Sequence, residues 1–123
     1  MHLLVADDNE INLRVACAYL KALGISPEAI HTASNGREAA EMCQRLQFDL
    51  VFMDIQMPEV DGIQAAKEIL SENGKPKPTI VALTANTSEE AEREYRAAGM
   101  KMVLHKPVNK SAFMDALKLA QVC

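Results

Sequence analysis

The sequence is poor in aromatic residues: among 123 residues it has two tyrosines, three phenylalanines and no tryptophan. So few rings leave little surface for stacking nucleotide bases or sugars. A formal net charge of −4, without a basic stripe, gives no reason to expect nucleic-acid binding. No apolar stretch approaches the ~20 residues that a membrane-spanning helix needs, and the first predicted strand starts too early for a signal peptide. These absences favour a cytoplasmic domain without direct membrane contact.

Cysteine is scarce as well, and its spacing indicates neither a disulfide framework nor a metal site. The three cysteines, at positions 17, 43 and 123, include no C-x-x-C pair, and an odd number suits free thiols in a reducing compartment. The three histidines show no ligand spacing either. The sequence therefore predicts no thiolate or imidazole metal centre.

Four short apolar runs are separated by amphipathic segments of helix length. Uninterrupted runs of this size are typical of parallel strands that are buried on both faces. With a further short strand at about residues 29–33, we predict five βα units, an α/β fold, in one domain over residues 1–123. The predicted N-caps of the later helices are Asn35, Asp61, Thr87 and Asn109. The four runs are residues 3–6, 50–53, 80–83 and 102–104.

Polar residues lie at the carboxyl ends of these predicted strands. Asp7 and Asp8 follow the first run and Asp54 follows the second, while Thr84 and Lys106 end the other two. Because parallel strands point the same way, these side chains are expected to meet at one edge of the sheet. Crowded carboxylates repel each other unless a cation compensates, and oxygen ligands beside a phosphate suit Mg²⁺. The sequence therefore predicts a magnesium and phosphoryl site.

Four segments at these strand ends carry a resemblance to a known family, and they occur in the expected order and at the expected separations. They are Asp-Asp-Asn at 7–9, Met-Asp-Ile-Gln-Met-Pro-Glu-Val-Asp-Gly at 53–62, Leu-Thr-Ala-Asn at 83–86 and Lys-Pro at 106–107. The chain resembles the receiver domain of two-component response regulators over nearly all of its length. That resemblance implies a flavodoxin-like (βα)₅ doubly wound parallel sheet with strand order 2-1-3-4-5.

The resemblance also implies a role for each site residue. Asp54 is expected to accept a phosphoryl group from a phosphohistidine, and the Lys106–Pro107 bond is expected to be cis. The implied ligands of Mg²⁺, or of Mn²⁺, are Asp7, Asp8, Asp54 and the backbone carbonyl of Gln56. The implied phosphoryl contacts are Thr84, which acts as the switch residue, Ala85 and Lys106. Two residues that flank the site can position water for slow self-dephosphorylation, namely Gln56 and Asn86.

One departure from the family pattern concerns an aromatic residue. Receivers often carry Tyr or Phe three residues before the lysine, and that ring moves inward when the threonine moves. Here the position is Val103, and Tyr95 on the preceding helix is expected to be a packing residue. An aromatic switch at the usual position is therefore not predicted.

The chain looks most like the receivers that are fused to hybrid histidine kinases. The segments that carry this likeness are residues 8–15, 53–58 and 83–86. The implied partners are a histidine kinase or a histidine phosphotransfer domain, with a parent sensor kinase possible at the inner face of a membrane. We expect the isolated domain to be a monomer. The first predicted helix has a broad apolar arc, which indicates either deeper burial or a docking patch formed by Ile11, Val15, Pro107 and Val108.

Four alternatives stand beside this interpretation. A stand-alone single-domain response regulator has the same site residues. An aspartyl-nucleophile phosphatase of the haloacid-dehalogenase type needs a second acid two residues after the nucleophile, where this chain has Gln56. A degenerate, binding-only receiver is expected to have lost an acid, the threonine or the lysine, and none is lost. A nucleotide-binding flavodoxin-like protein needs a Gly-rich phosphate loop after a strand, and the sequence has none.

Overall fold

The computed structural model describes residues 2–57, 60–71 and 76–120. Within them, five parallel strands alternate with five α-helices, and the strand order is 2-1-3-4-5, which confirms the predicted fold. The elements are β1 (Leu3–Ala6), α1 (Glu10–Ala22), β2 (Ile30–Ala33), α2 (Gly36–Arg45), β3 (Leu50–Asp54), α3 (Gly62–Ser71), β4 (Thr79–Thr84), α4 (Glu89–Ala97), β5 (Met102–His105) and α5 (Lys110–Leu119). A 3₁₀ turn at Pro27–Ala29 precedes β2.

The sheet is covered on both faces. Alternate residues of β1 point to opposite sides, so that Leu4 packs with α2 and α3 in one layer. Leu3 packs with α1 and α5 in the other layer. All four residues of β1 and all five of β3 are buried, as expected for central strands of a doubly wound sheet. Within the described residues, no helix is long and apolar enough to cross a membrane.

The register of the central strands aligns their carboxyl ends. Strand β1 pairs with β3 so that Ala6 lies opposite Met53, and β3 pairs with β4 so that Asp54 lies opposite Leu83. The residue after Ala6 and the residue after Met53 are both aspartates. The register therefore places two carboxylates side by side at the edge where the chain reverses its winding direction.

Side-chain caps start most helices where the sequence predicts them. The side-chain oxygens of Asn35, Asp61 and Asn109 accept backbone N–H groups at distances of 2.7 to 2.9 Å. The cap predicted at Thr87 is wrong, because Ser88 caps α4 by accepting the Ala91 N–H at 3.2 Å.

The shift at α4 has a local cause. The Asn86 side chain accepts the Ser88 N–H at 3.2 Å, which turns the chain back over residues 86–88. This turn leaves Ser88 with the extended backbone of an N-cap and starts the helix one residue later than predicted.

Candidate functional site

Three carboxylates meet at the carboxyl end of β1 and β3. Oxygen atoms of Asp7, Asp8 and Asp54 all lie within 4.8 Å of one another. Asp7 and Asp54 are buried, with 2% and 3% of their surfaces exposed, whereas Asp8 is exposed. Two acids are therefore fixed inside the protein, and the third reaches them from the solvent side.

Lys106 is the cation that partly compensates this charge. Its Nζ lies 3.1 Å from Asp54 Oδ1 and 3.4 Å from Asp7 Oδ2. The lysine follows β5, and its backbone N–H donates to the Thr84 carbonyl at 2.9 Å, which ties it to the end of β4. The peptide bond between Lys106 and Pro107 is cis. Three carboxylates facing one ammonium leave a local excess of negative charge.

Hydrogen bonds fix the orientation of both buried acids. Asp7 accepts the Asn9 N–H at 2.9 Å through Oδ1 and the Asn12 side-chain amide at 3.3 Å through Oδ2. Asp54 accepts the Gln56 N–H at 3.3 Å through Oδ1, the oxygen that also faces Lys106. Among the residues that the structure describes, Asp54 Oδ2 has no hydrogen-bond partner. Asp54 Oδ2 is therefore the oxygen of this carboxylate that is available to bind a ligand.

The surroundings of Asp54 and Lys106 raise the pKa of both groups. Burial, together with the charge of Asp7, raises the pKa of Asp54 to about 6, although the contact with Lys106 acts in the opposite direction. Burial alone would lower the pKa of Lys106, but its hydrogen bond to Asp54 and the charges of Asp54 and Asp7 outweigh that effect and raise it. The lysine is therefore held in its charged form, while Asp54 is an acid whose ionised form a further cation would stabilise.

An open cavity above Asp54 brings together most of the residues predicted for the site. These lining residues are Asp8, Asp54, Gln56, Thr84, Ala85, Asn86 and Lys106. Asp7 lines a neighbouring apolar groove instead. Three members of the predicted docking patch line that groove, namely Val15, Pro107 and Val108. The groove and the cavity therefore share Lys106 as a common wall.

Three further residues support the site through contacts that no sequence pattern indicated. Asn12 holds Asp7, as described above. Gly62 allows α3 to approach β3, since a Cβ there would clash with the Asp54 carbonyl oxygen. Tyr95 is buried in the core as expected, but its hydroxyl also lies 3.1 Å from Thr84 Oγ1. Helical periodicity indicated only that this side chain faces inward, and gave no sign of that partner.

The donor set fits a magnesium ion. Carboxylate oxygens from three acids are close enough to share one ion, and Lys106 neutralises only part of their charge. Hard oxygen ligands, with one side open to water and phosphate, are the environment in which proteins bind Mg²⁺. The groups that would hold it are Asp7, Asp8 and Asp54, and the backbone carbonyl of Gln56 stays a predicted further ligand.

These features define a class of protein: a doubly wound α/β domain with a cluster of three carboxylates and a lysine at its topological switch point. The family model described as the response regulator receiver domain matches residues 3–118. The chain therefore belongs to the response regulator receiver domain family. Haloacid-dehalogenase phosphatase chemistry finds no support, since Gln56 stands where its acid–base residue would be.

Three comparisons illustrate the similarity. Hybrid signal transduction histidine kinase K of Dictyostelium discoideum is 37% identical over 124 residues, which cover 95% of this chain and 10% of that protein. The receiver domain of the Pseudomonas aeruginosa sensor histidine kinase PA1611, solved with magnesium in its active-site cleft, is 27% identical, with a TM-score of 0.85 and coverage of 98% and 97%. A chain in the Saccharomyces cerevisiae complex of the phosphotransfer protein Ypd1 with the receiver domain of Ssk1 is 30% identical to this chain, with a TM-score of 0.85. The match covers 100% of this chain and 92% of that chain.

Proposed function

We propose that this domain accepts a phosphoryl group from a phosphohistidine on Asp54 in a Mg²⁺-dependent reaction. The observation that carries this proposal is the buried Asp54 carboxylate, which contacts Lys106 through Oδ1 and lines an open cavity. In the reaction a carboxylate oxygen forms a bond to phosphorus as the phosphorus–nitrogen bond breaks. The electron pair of that bond stays on the departing imidazole, which is neutral if its other nitrogen remains protonated.

Residues around the cavity supply the remaining functions. Lys106 pairs with the phosphoryl oxygens, and the Thr84 hydroxyl and the Ala85 N–H donate hydrogen bonds to them. When bound, Mg²⁺ offsets the repulsion between an anionic donor and an anionic nucleophile. Catalysis of this kind works by positioning and charge neutralisation rather than by acid–base chemistry on the protein.

Gln56 and Asn86 line the same cavity and can orient a water molecule toward the phosphoryl group. We propose that this water hydrolyses the acyl phosphate slowly, so that the domain stores and passes on the phosphoryl group rather than turning it over rapidly. The domain is a signalling module, and this self-dephosphorylation is the one hydrolytic activity proposed for it.

A histidine phosphotransfer domain is the proposed partner, and a hybrid histidine kinase is the proposed parent protein. The chain spans about a tenth of the length of the Dictyostelium hybrid kinase that it matches. The lack of an aromatic residue at Val103 agrees with a receiver that passes its phosphoryl group on. A stand-alone regulator is the alternative. We further propose a monomeric domain that works in the cytoplasm.

The docking patch for that partner consists of Ile11, Val15, Pro107 and Val108. Ile11 and Val15 are 69% and 42% exposed, so the broad apolar arc of α1 is only partly used for packing. The patch borders the groove that shares Lys106 with the phosphoryl cavity. A helical bundle seated there would bring a histidine from the solvent side toward Asp54, which is the approach that transfer requires.

Intact mass measurement after incubation with acetyl phosphate and Mg²⁺ tests the proposed function. We expect one phosphoryl group to be added and to be released by hydroxylamine, as an acyl phosphate should be. The adduct should be absent in Asp54→Asn and in the presence of EDTA. If a folded wild-type chain gains no phosphoryl group from either acetyl phosphate or a phosphorylated histidine phosphotransfer protein, the proposal is wrong.

Substitution of Ile11 by Asp tests the docking patch. We expect transfer from a phosphorylated histidine phosphotransfer protein to slow about tenfold, because a charge at an apolar contact typically removes more than ~1 kcal/mol of binding energy. Phosphorylation by acetyl phosphate should stay unchanged, since Ile11 does not line the cavity. Leu46→Asp is the matched control, because Leu46 is also exposed but follows α2 on the other face of the sheet. Equal transfer rates for the two variants would exclude the patch.

A further inference from the structure

The hydroxyl of Tyr95 lies inside the phosphoryl site and not merely behind it. Tyr95, on α4, is 3% exposed, and it lines the cavity above Asp54. Its Oη lies 3.1 Å from Thr84 Oγ1 and donates to the Asn86 carbonyl at 3.0 Å. The side chain thus contacts both the switch threonine and the loop that follows it.

The proton positions in this cluster follow from the chemistry of the groups. The Asn86 N–H donates to Thr84 Oγ1 at 3.0 Å. Each hydroxyl carries a single hydrogen, and a carbonyl oxygen can only accept. Since Tyr95 donates its hydrogen to the Asn86 carbonyl, the short contact between the hydroxyls requires Thr84 to donate to Tyr95. The hydrogen bonds then form a closed ring: Asn86 N–H to Thr84, Thr84 to Tyr95, and Tyr95 to the Asn86 carbonyl.

We propose that Tyr95 is a positioning residue, which holds the Thr84 hydroxyl in the resting domain and releases it when Asp54 carries a phosphoryl group. This inference rests on the proposed function, because a phosphoryl oxygen is the acceptor that competes with Tyr95. Thr84 has one hydrogen and can donate it to Tyr95 or to the phosphoryl group, but not to both. The alternative acceptor within the ring, the Asn86 carbonyl, is farther from Thr84 Oγ1, at 3.4 Å.

This arrangement ties the state of Asp54 to α4. When Thr84 turns toward the phosphoryl group, Tyr95 loses one of its two hydrogen-bond partners, and Asn86 loses the acceptor of its N–H. Asn86 also accepts the Ser88 N–H, and Ser88 is the N-cap of α4. Phosphorylation of Asp54 would therefore alter the hydrogen bonds at the start of α4, the helix that carries Tyr95. Tyr95 on α4 thus takes the place of the aromatic residue that receivers often carry at the position of Val103 on β5.

Beryllofluoride, a phosphoryl mimic, gives the direct test in the presence of Mg²⁺. We expect Tyr95→Phe to bind it about fivefold more tightly than wild type, because the variant removes a competing hydrogen bond of ~1 kcal/mol net. In a Thr84→Val background the same tyrosine substitution should change binding less than about twofold, since the competition acts only through the threonine hydroxyl. An unchanged affinity, or an equal effect in both backgrounds, would overturn the inference.

A second measurement leaves the Tyr95 side chain in place, and so does not depend on Tyr95→Phe folding. The chain has two tyrosines and no tryptophan, so Tyr19→Phe leaves Tyr95 as the single tyrosine. Labelled with 3-fluorotyrosine, that chain should show a change in its ¹⁹F resonance when beryllofluoride binds, and a much smaller change in the Thr84→Val background. A resonance that does not move on binding contradicts the inference alone. A folded wild-type domain that does not bind beryllofluoride contradicts the proposed function and this inference together.

Discussion

Replacing Lys106 with Met is expected to slow the phosphorylation of Asp54 by acetyl phosphate at least about a hundredfold. The ammonium group lies 3.1 Å from the Asp54 carboxylate, where it can pair with a transferring phosphoryl group. Loss of one preorganised electrostatic group in an active site typically lowers the rate by about 10² to 10³. Initial rates from intact mass, at saturating Mg²⁺, provide the measurement.

The same substitution should make the metal-free fold less stable. Without Lys106, the buried carboxylates of Asp7 and Asp54 face each other with no cation between them. Because the lysine side chain is 27% exposed, we expect a loss of only about 1–2 kcal/mol, which is less than for a fully buried pair. Urea unfolding in EDTA measures this loss, and Mg²⁺ should restore part of it.

Lys118→Met is the matched control, because it removes the same charge from an exposed position in the last turn of α5. It should leave both the phosphorylation rate and the metal-free stability close to those of wild type. If Lys106→Met is phosphorylated as fast as Lys118→Met, the assigned role of Lys106 is wrong.

Addition of Mg²⁺ should raise the thermal unfolding midpoint by about 10 °C at a concentration a hundred times the dissociation constant. A ligand that binds only the native state contributes about 2.7 kcal/mol under these conditions. For a domain of this size, each kcal/mol corresponds to a shift of roughly 4 °C. A scan at pH 7.5 keeps Asp54 ionised, since burial and the charge of Asp7 raise its pKa only to about 6.

A substitution of Asp8 tests metal binding without disturbing the fold. Because Asp8 is exposed, Asp8→Asn should leave the midpoint in EDTA nearly unchanged, but the shift caused by Mg²⁺ should fall to about 3 °C or less. Asp115→Asn, which changes the charge of an exposed residue on α5, should keep the full shift. An undiminished shift in Asp8→Asn would mean that Asp8 is not a ligand.

The sheet and the acidic site could be predicted from the sequence because both depend on local patterns. Uninterrupted apolar runs such as residues 50–53 mark buried strands, and the direction shared by parallel strands places Asp7 and Asp54 at one edge. Neither inference needs to know how any particular side chain is oriented. The register that pairs Ala6 with Met53 adds only the exact alignment.

What the sequence did not reveal depends on contacts between elements. Whether Ile11 is buried or exposed could not be decided, since periodicity fixes the face of a helix but not its neighbour. The cap at Ser88 depends on the Asn86 side chain, which competes for the backbone of the same loop. The bond between Tyr95 and Thr84 joins a helix to a strand and depends on the distance between them.

The distribution of the site along the chain has a consequence for its assembly. The first acid is residue 7, and the compensating lysine is residue 106, near the end of the described fold. A polypeptide emerging from the ribosome therefore carries the repelling carboxylates long before it carries their cation. Contacts between residues so distant in sequence form late and slowly. The acidic cluster is thus one of the last parts of the domain to be completed, because it gains its compensating cation only after Lys106 has been synthesised.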